Sequence, residues 1–331
     1  ELDRAAVASY VAQLADEIYQ LPEDGQLAWK DGLVVTKASI DGDQLRQDVT
    51  VTRLLVIAFT KARALSLPVQ ITKPQVPTDN LRALGIRGAI GEGSSKFTDS
   101  PPERVHNIHT AAGYLNGSVI PPGATFSFNE AIGPISPETG YKEGLTIVGD
   151  NTVAGVGGGV CQVSTTTFRA AFWSGLPIVE RNQHSYDVPY YTRDGSPVGF
   201  DAAVYQPYVD LKFTNDTGKY ILIQASWQGD VLRVVFYGTD PGRQVYRSKP
   251  QITNKVPPLP DKIVYDPALP PGKKEQVDWA HEGLDVRLGR TVTKNGKVLY
   301  KDTFFSHYKP WGNIYHVGPP AKKKANTSKP R

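Results

Sequence analysis

The chain has 331 residues, 40% of them apolar and 10% aromatic, and a formal charge of +4 at pH 7. That length can fill cores for two or three domains, and a mild basic excess without a clustered basic–aromatic motif speaks against nucleic-acid binding. A single cysteine excludes an intrachain disulfide framework and any zinc site built on several cysteines, and no apolar run reaches the roughly 20 residues of a bilayer span. With 31 glycines and 26 prolines the chain must turn often, which points to much β structure. A weakly basic surface suits an anionic cell wall. No methionine is present, so residue 1 is not an initiator, and a signal or membrane anchor is expected to have been removed ahead of it.

Residues 3–20 have helical spacing, with Val7, Val11, Leu14, Ala15 and Ile18 on one face and Asp3 as cap. Leu27 to Lys37 reads as a hairpin turning at Asp31-Gly32. A second helix is expected over 49–65, with Val51, Leu54, Leu55, Ala58, Ala62 and Leu65 inward, and Val69–Thr72 closes the unit as a strand. This order predicts a small α+β domain over 1–76, followed by a linker from Pro74 to Asp79. Short glycine-rich strands are expected over 81–97. Gly91-Glu92-Gly93-Ser94-Ser95 lacks the Lys-Ser/Thr of a phosphate loop, so no nucleotide site is read there.

Pro102–Asn116 is a predicted helix that buries Val105, Ile108, Ala112 and Leu115. Arg104 and Asn107 lie close on it and could bind a carboxylate or hold a loop. His106 and His109 could share a metal, but no third ligand has suitable spacing, and no metal is expected. After the turn at Pro121-Pro122-Gly123 comes the strand Phe126-Ser127-Phe128, then Asn129, which lines a site or caps a turn.

Gly157-Gly158-Gly159-Val160-Cys161 sets the lone cysteine behind three glycines, which free the backbone for a tight turn. A helical pattern then runs through Val163, Phe168, Ala171 and Phe172 to a stop at Gly175. Cys161 is thus placed at a helix N-terminus, where the amides and macrodipole favour a thiolate. The bland alternative is an inert thiol packed as a small hydrophobe. A helix from Cys161 to Ser174 would be roughly 21 Å long. The strand Ile178–Gln183 would return the chain by a similar length at about 3.3 Å per residue, delivering His184 beside Cys161. A Cys–His pair is the minimal unit for nucleophilic catalysis; otherwise His184 caps a strand or sits on a wet loop. Tyr186, Tyr190, Tyr191, Phe200, Tyr205 and Tyr208 form either groove walls or sheet packing. Antiparallel strands follow at 209–214, 220–227 and 231–237.

Four separated runs resemble the VanW-domain family. They are Gly123–Asn129, Gly157–Thr166, Val179–Ser185 and Gly199-Phe200-Asp201-Ala202. The resemblance covers about residues 95–240. It implies cell-envelope work, and a cysteine-dependent L,D-transpeptidase activity on peptidoglycan stem peptides, without metal or organic cofactor. Arg104 and Asn107 match the family's pattern. Asp201, in the motif Gly-x-Asp-Ala, could orient His184 as the third member of a nucleophile–base–orienter set, or could serve a strand-end turn or a salt bridge to Arg181 or Arg193. On this reading Cys161, His184 and Asp201 are catalytic. Backbone around Gly158, Gly159 and Gln162 would hold the oxyanion, and Ser164, Thr165, Arg181, Asn129 and Arg104 are candidate substrate contacts. The first 76 residues resemble the peptidoglycan-binding domain that often precedes VanW domains.

Residues 250–318 open on Val256-Pro257-Pro258-Leu259-Pro260 and contain a hairpin turn at Lys294-Asn295-Gly296-Lys297. They resemble a G5 domain, an all-β module, but Val286 stands where a glycine commonly follows Gly283. A basic tail, 319–331 with Lys322 to Lys324, is expected to be disordered and to touch anionic polymer or lipid. The expected whole is an α+β multidomain protein: 1–76, a catalytic 77–245, and β-rich 250–318. It is expected outside the cell, with peptidoglycan stem peptides and glycan strands as partners and no nucleic acid. The rival readings are a non-catalytic peptidoglycan adaptor and a cysteine peptidase of the same stems.

Overall fold

The computed structural model describes residues 3–148 and 151–321. The basic run expected at 322–324 lies outside them. Helix α1 (Arg4–Ile18) begins where the Asp3 carboxylate accepts the amides of Ala5 and Ala6, which fills the donors a helix start leaves open. It buries Val11 and Ala15 against Leu45 on β3 (Gly42–Leu45) and Val51 on α2 (Gln47–Ile57). Strands β1 (Gln26–Trp29) and β2 (Leu33–Lys37) form the expected hairpin, with Asp31 at φ 53° in its turn. Strand β3 pairs with β4 (Val69–Thr72).

Two expectations fail in this region. Helix α2 ends at Ile57, well short of residue 65, and Ala58 and Ala62 are exposed. The Thr60 hydroxyl takes the Ile57 carbonyl, and the Arg63 guanidinium takes those of Thr60 and Ala62, so side chains satisfy the acceptors another turn would have used. The 74–79 stretch is no free linker. Val76 is buried, bonded to Gly25 and to the Asp24 carboxylate, and Thr78 is bonded to Ser39. Nor does the β1–β2 hairpin pack on α1. Leu27 joins Val76, Leu84, Ile86 and Leu222, and Trp29 stacks on Tyr237 at 4.7 Å.

The central region runs through α3 (Leu81–Leu84), β5 (Gly88–Lys96), α4 (Pro102–Leu115), β6 (Val119–Ile120), β7 (Thr125–Ser127) and α5 (Phe128–Ile132). It continues through β8 (Glu143–Val148), β9 (Asn151–Val156), α6 (Val160–Trp173), β10 (Ile178–Glu180), β11 (Lys212–Thr214), β12 (Ile221–Gln228) and β13 (Val231–Gly238). One antiparallel sheet has the order β5-β13-β12-β6, a smaller one β10-β11-β7, and β8 pairs with β9. Where short strands were expected, β5 is one strand paired along β13. Its glycines serve helix–sheet contact: a Cβ on Gly93 would stand 2.1 Å from the Thr166 carbonyl, and one on Gly91 2.0 Å from Ser174 Oγ. Phe128 turns inward as the first residue of α5 instead of ending a strand, because Ser127 caps that helix through the Glu130 amide.

Helix α6 is the centre of the fold. Every residue from Val160 to Phe172 except Cys161 is buried, so its pattern is not that of an amphipathic surface helix. It ends where predicted, with Gly175 at φ 66° and the Gly175 and Leu176 amides returning to Phe172 and Ala171.

The C-terminal module comprises β14 (Arg243–Arg247), β15 (Gln251–Val256), β16 (Lys262–Tyr265), β17 (Lys274–Asp278), β18 (Gly283–Lys294), β19 (Lys297–Tyr308) and β20 (Ile314–Val317). Because β14 pairs with β18, the module begins at residue 243, not at 250. The long hairpin β18–β19 turns at Asn295-Gly296, both at positive φ. The module grips the central region closely. Val286, fully buried, packs where a Cβ on Gly199 would stand 2.8 Å from its Cγ1. Arg290 donates to the Phe172 carbonyl at 3.3 Å, and both Arg243 and Tyr300 donate to the Gly175 carbonyl. Cationic and hydroxyl donors thus close the C-terminal end of α6, where the helix leaves carbonyls unpaired.

Candidate active site

The opposite end of α6 holds the cysteine. Gly157 and Gly159 adopt φ 90° and 110°, left-handed values that glycine reaches without penalty. A Cβ on Gly159 would also stand 2.9 Å from the Arg104 carbonyl and 3.0 Å from Ile108, so the elbow depends on glycine for space as well as for conformation. Asn107 pins it from α4. Its amide donates to the carbonyls of Lys142 and Gly158, and its Oδ1 accepts the Lys142 amide. Cys161 therefore sits in the first turn of α6, half-buried. Its Sγ lies 3.4 Å from the Val204 carbonyl and 3.5 Å from the Val204 amide.

His184 reaches the same place. Strand β10 is only Ile178–Glu180, and the chain continues irregularly, joined by a bridge between Asn182 and Ala203. The imidazole is buried and lies close enough to the Cys161 thiol for each to shift the other's ionisation. Its Nδ1 lies 2.5 Å from Asp201 Oδ2, which also accepts the His184 backbone amide at 3.1 Å. Nε2 lies 3.2 Å from the Tyr191 hydroxyl. Asp201 is in turn fixed on its other oxygen, where Oδ1 accepts from Arg181 Nη2 at 2.8 Å and from the Tyr308 hydroxyl. The structure joins His184 directly to Asp201 and sets Cys161 near that pair.

The charges follow from this geometry. Burial pushes the Cys161 thiol up, but the His184 hydrogen bond and charge, the Val204 amide and the Arg104 charge outweigh it and hold the thiol below its usual range. Burial pulls the His184 imidazole down, yet Asp201 and Cys161 raise it to about 9. Burial likewise opposes ionisation of Asp201, while Arg181, His184 and Tyr308 hold its carboxyl well below the ordinary range. The arrangement favours a thiolate–imidazolium pair backed by a carboxylate.

Several expected substrate contacts are placed elsewhere. Ser164, Thr165 and Gln162 are fully buried inside α6. Thr165 exchanges hydrogen bonds with the Ala202 backbone, and Ser164 Oγ has no partner. Gln162 ties α6 to β5 through Ser95 Oγ and the Lys96 carbonyl. Gly158 is buried beneath Asn107 and Gly159 is half-buried. The Val160 and Gln162 amides are bonded to Gly157 and Gly159, so neither faces an oxyanion. Arg181 is a buried support: it donates to the Asp201 and Gly199 carbonyls, the Asp201 carboxylate and Ser306 Oγ. Asn129 anchors the turn beyond Val204 through its amide to the Val209 carbonyl. Arg104 remains beside Cys161, its guanidinium 3.7 Å from the Tyr190 ring centre. His106 and His109 do not converge. His106 bonds the Gly140 carbonyl and His109 stacks on Trp227, and among the described residues no group of three or more His, Cys, Asp or Glu could hold a metal ion. Of the aromatics, Tyr186, Tyr191 and Phe200 are packing, whereas Tyr205 and Tyr208 are exposed. Sequence reasoning missed Tyr308 and gave Tyr191 no role at the site.

A cysteine on a glycine elbow at the head of a buried helix, with a buried histidine and aspartate nearby, is the set of groups that nucleophilic thiol chemistry requires. Residues 103–237 match the family described as VanW like protein. It is 29% identical over 257 residues to the protein YoaR of Bacillus subtilis (strain 168), covering 77% of this chain and 82% of that one. It is 35% identical over 114 residues to vancomycin B-type resistance protein VanW of Enterococcus faecalis (strain ATCC 700802 / V583), covering 34% of this chain and 42% of that one. Among solved structures it is similar to the G5 part of HP0197 and to the IgA1 protease G5 domain. These are 21% and 16% identical, with TM-scores of 0.12 and 0.15; they cover 23% and 24% of this chain, and 97% and 94% of their own. No helix of the described residues is long and apolar enough to cross a membrane.

Proposed function

We propose that this protein acts at the bacterial cell wall as a cysteine-dependent L,D-transpeptidase of peptidoglycan stem peptides. The match to the VanW family supports cell-wall work, and one observation carries the chemistry: the buried His184–Asp201 pair, with Cys161 close enough at the head of α6 for its charge to couple to the imidazole. The thiolate attacks the carbonyl carbon between an L- and a D-centre of the donor stem. The oxyanion is met by the backbone amide of Cys161 itself, since those of Val160 and Gln162 are bonded to Gly157 and Gly159. As the C–N bond breaks, the imidazolium gives its proton to the leaving amine and the terminal D-amino acid departs, leaving a thioester on Sγ. An amine of a second stem then attacks that carbonyl and gives its proton to His184, and the C–S bond breaks to restore the thiolate. The product is a cross-link; water in place of the amine gives hydrolysis.

The test is incubation with a defined disaccharide-tetrapeptide, followed by mass. The expected result is loss of the terminal D-amino acid with formation of dimers, both abolished in a folded Cys161→Ala protein. Free fragments without dimers mean a peptidase, and wall binding without either product means an adaptor.

A further inference from the structure

Three deeply placed arginines each have a carboxylate partner: Arg169 with Asp194 at 2.7 Å, Arg181 with Asp201 at 2.8 Å, and Arg290 with Asp302 at 2.5 Å. Arg104 has none among the described residues. Its Nη1 donates to Ser100 Oγ at 2.7 Å and its Nη2 to Gln162 Oε1 at 2.6 Å, both neutral acceptors. A second cation stands on the same aromatic ring. Arg193 donates to the Thr98 carbonyl at 2.6 Å, and its guanidinium lies 4.3 Å from the centre of the same Tyr190 ring that Arg104 covers at 3.7 Å. Burial and Arg193 both pull the Arg104 guanidinium down, opposed by Tyr191, Tyr190 and the Cys161 sulfur.

Two like charges held near each other, one of them half-buried, are costly unless an anion joins them. In the resting protein the Cys161 thiolate is the nearby negative group. Arg193 is exposed and Tyr190 and Cys161 are half-buried, so these groups are open to a ligand from solvent. Planar guanidinium forks match a carboxylate.

We propose that Arg104 and Arg193, both against the Tyr190 ring beside Cys161, form the subsite for the free terminal carboxylate of the donor stem peptide. The assignment rests on the acyl-transfer reading above and sharpens it. A carboxylate fixed here makes the enzyme count from the peptide's end, so the bond presented to Sγ is the last one. A donor lacking a free carboxylate loses its register.

The test uses Cys161→Ala protein, which cannot turn over, and calorimetry with two stem tetrapeptides that differ only in a terminal carboxylate or carboxamide. The acid is expected to bind at least about tenfold more tightly, and Arg104→Gln and Arg193→Gln, each added to Cys161→Ala, should bring it towards the amide. Arg193 is exposed, so its variant keeps the measurement available if Arg104→Gln does not fold. Equal affinity for acid and amide, or a preference that survives both substitutions, overturns the subsite. Turnover of the same peptides by the native protein is read separately. Product without acid preference sinks the subsite and keeps the transferase, whereas acid preference without product does the reverse.

Discussion

The two sides of the His184 ring are built by different means. The thiol side is local: the elbow, the first turn of α6 and Asn107 of the neighbouring helix set Cys161 within one domain. The carboxylate side is assembled from afar. Asp201 is held by Arg181, a score of residues earlier, and by Tyr308 at the end of β19, while Ser306 of that strand holds Arg181 at 2.9 Å. The segment after His184 is clamped to the same module. Ser185 accepts the Lys309 amide at 2.8 Å, and Tyr186 stacks on Trp311 at 4.5 Å. Cys161 therefore comes from a contiguous motif, and the orientation of the His184 ring depends on two modules staying docked.

The largest break in that comparison is Asp201→Asn. The amide keeps the shape but loses the charge that supports the imidazolium and fixes its Nδ1 proton. We expect kcat to fall by about a thousandfold or more, with Cys161 still present but slow towards iodoacetamide. Near-native turnover in this variant would leave His184 without need of an orienter.

Smaller, and more telling about the second module, is Tyr308→Phe. It removes one charge-assisted hydrogen bond to a buried carboxylate, about 1.5–3 kcal/mol in general, so we expect kcat to fall roughly tenfold or more with KM little changed. Val286→Ala is the matched control, because it loosens the same interface at Gly199 without touching Asp201. That variant should lose stability by about 0.5–3 kcal/mol but keep its kcat. If both lose kcat alike, docking matters in general and the Tyr308 hydroxyl has no particular part.

This division explains what was legible in the sequence. The glycines before Cys161 and the stop at Gly175 are short-range signals, and α6 begins and ends close to where they place it. The estimated return of the chain brought His184 to Cys161, although β10 is shorter than that estimate assumed. Arg181, Ser164, Thr165 and Gln162 were expected to meet substrate because they adjoin the motif. Polar residues in a wholly buried helix instead satisfy its surroundings, as Gln162 does for Ser95 and Lys96. Tyr308 was out of reach, since nothing in the sequence of β19 announces that its last residue meets Asp201, over a hundred positions earlier. Val286, read as a departure from a G5 pattern, is the residue that fills the space over Gly199.

The smallest expected effect concerns pH, and it separates reactivity from stability. His184 is raised to about 9, so by itself it contributes stability that is complete below about 6.5, its unfolded value, and is lost as pH rises through about 9. The Cys161 thiol is held below its usual range, so its contribution is present above about 8.5 and is lost as pH falls through the lowered value. Over the part of the interval from about 6.5 to 8.5 that lies above the lowered thiol value, the folded pair holds one proton, on the imidazole, and the unfolded pair also holds one, on the thiol. Folding then exchanges no proton at this pair, and the urea midpoint of the native protein should differ little from that of Cys161→Ala in its dependence on pH across that interval. Alkylation should behave otherwise. An ordinary thiol gains nearly tenfold in rate for each pH unit below its pKa, whereas Cys161, held below its usual range, should reach its plateau rate at a lower pH than a free thiol does. Transfer to an amine should fall above about pH 9, where the imidazolium loses the proton owed to the leaving group. An alkylation rate that climbs through this interval like that of a free thiol would show the proton resting on sulfur and the local side of the site failing to do what its geometry promises.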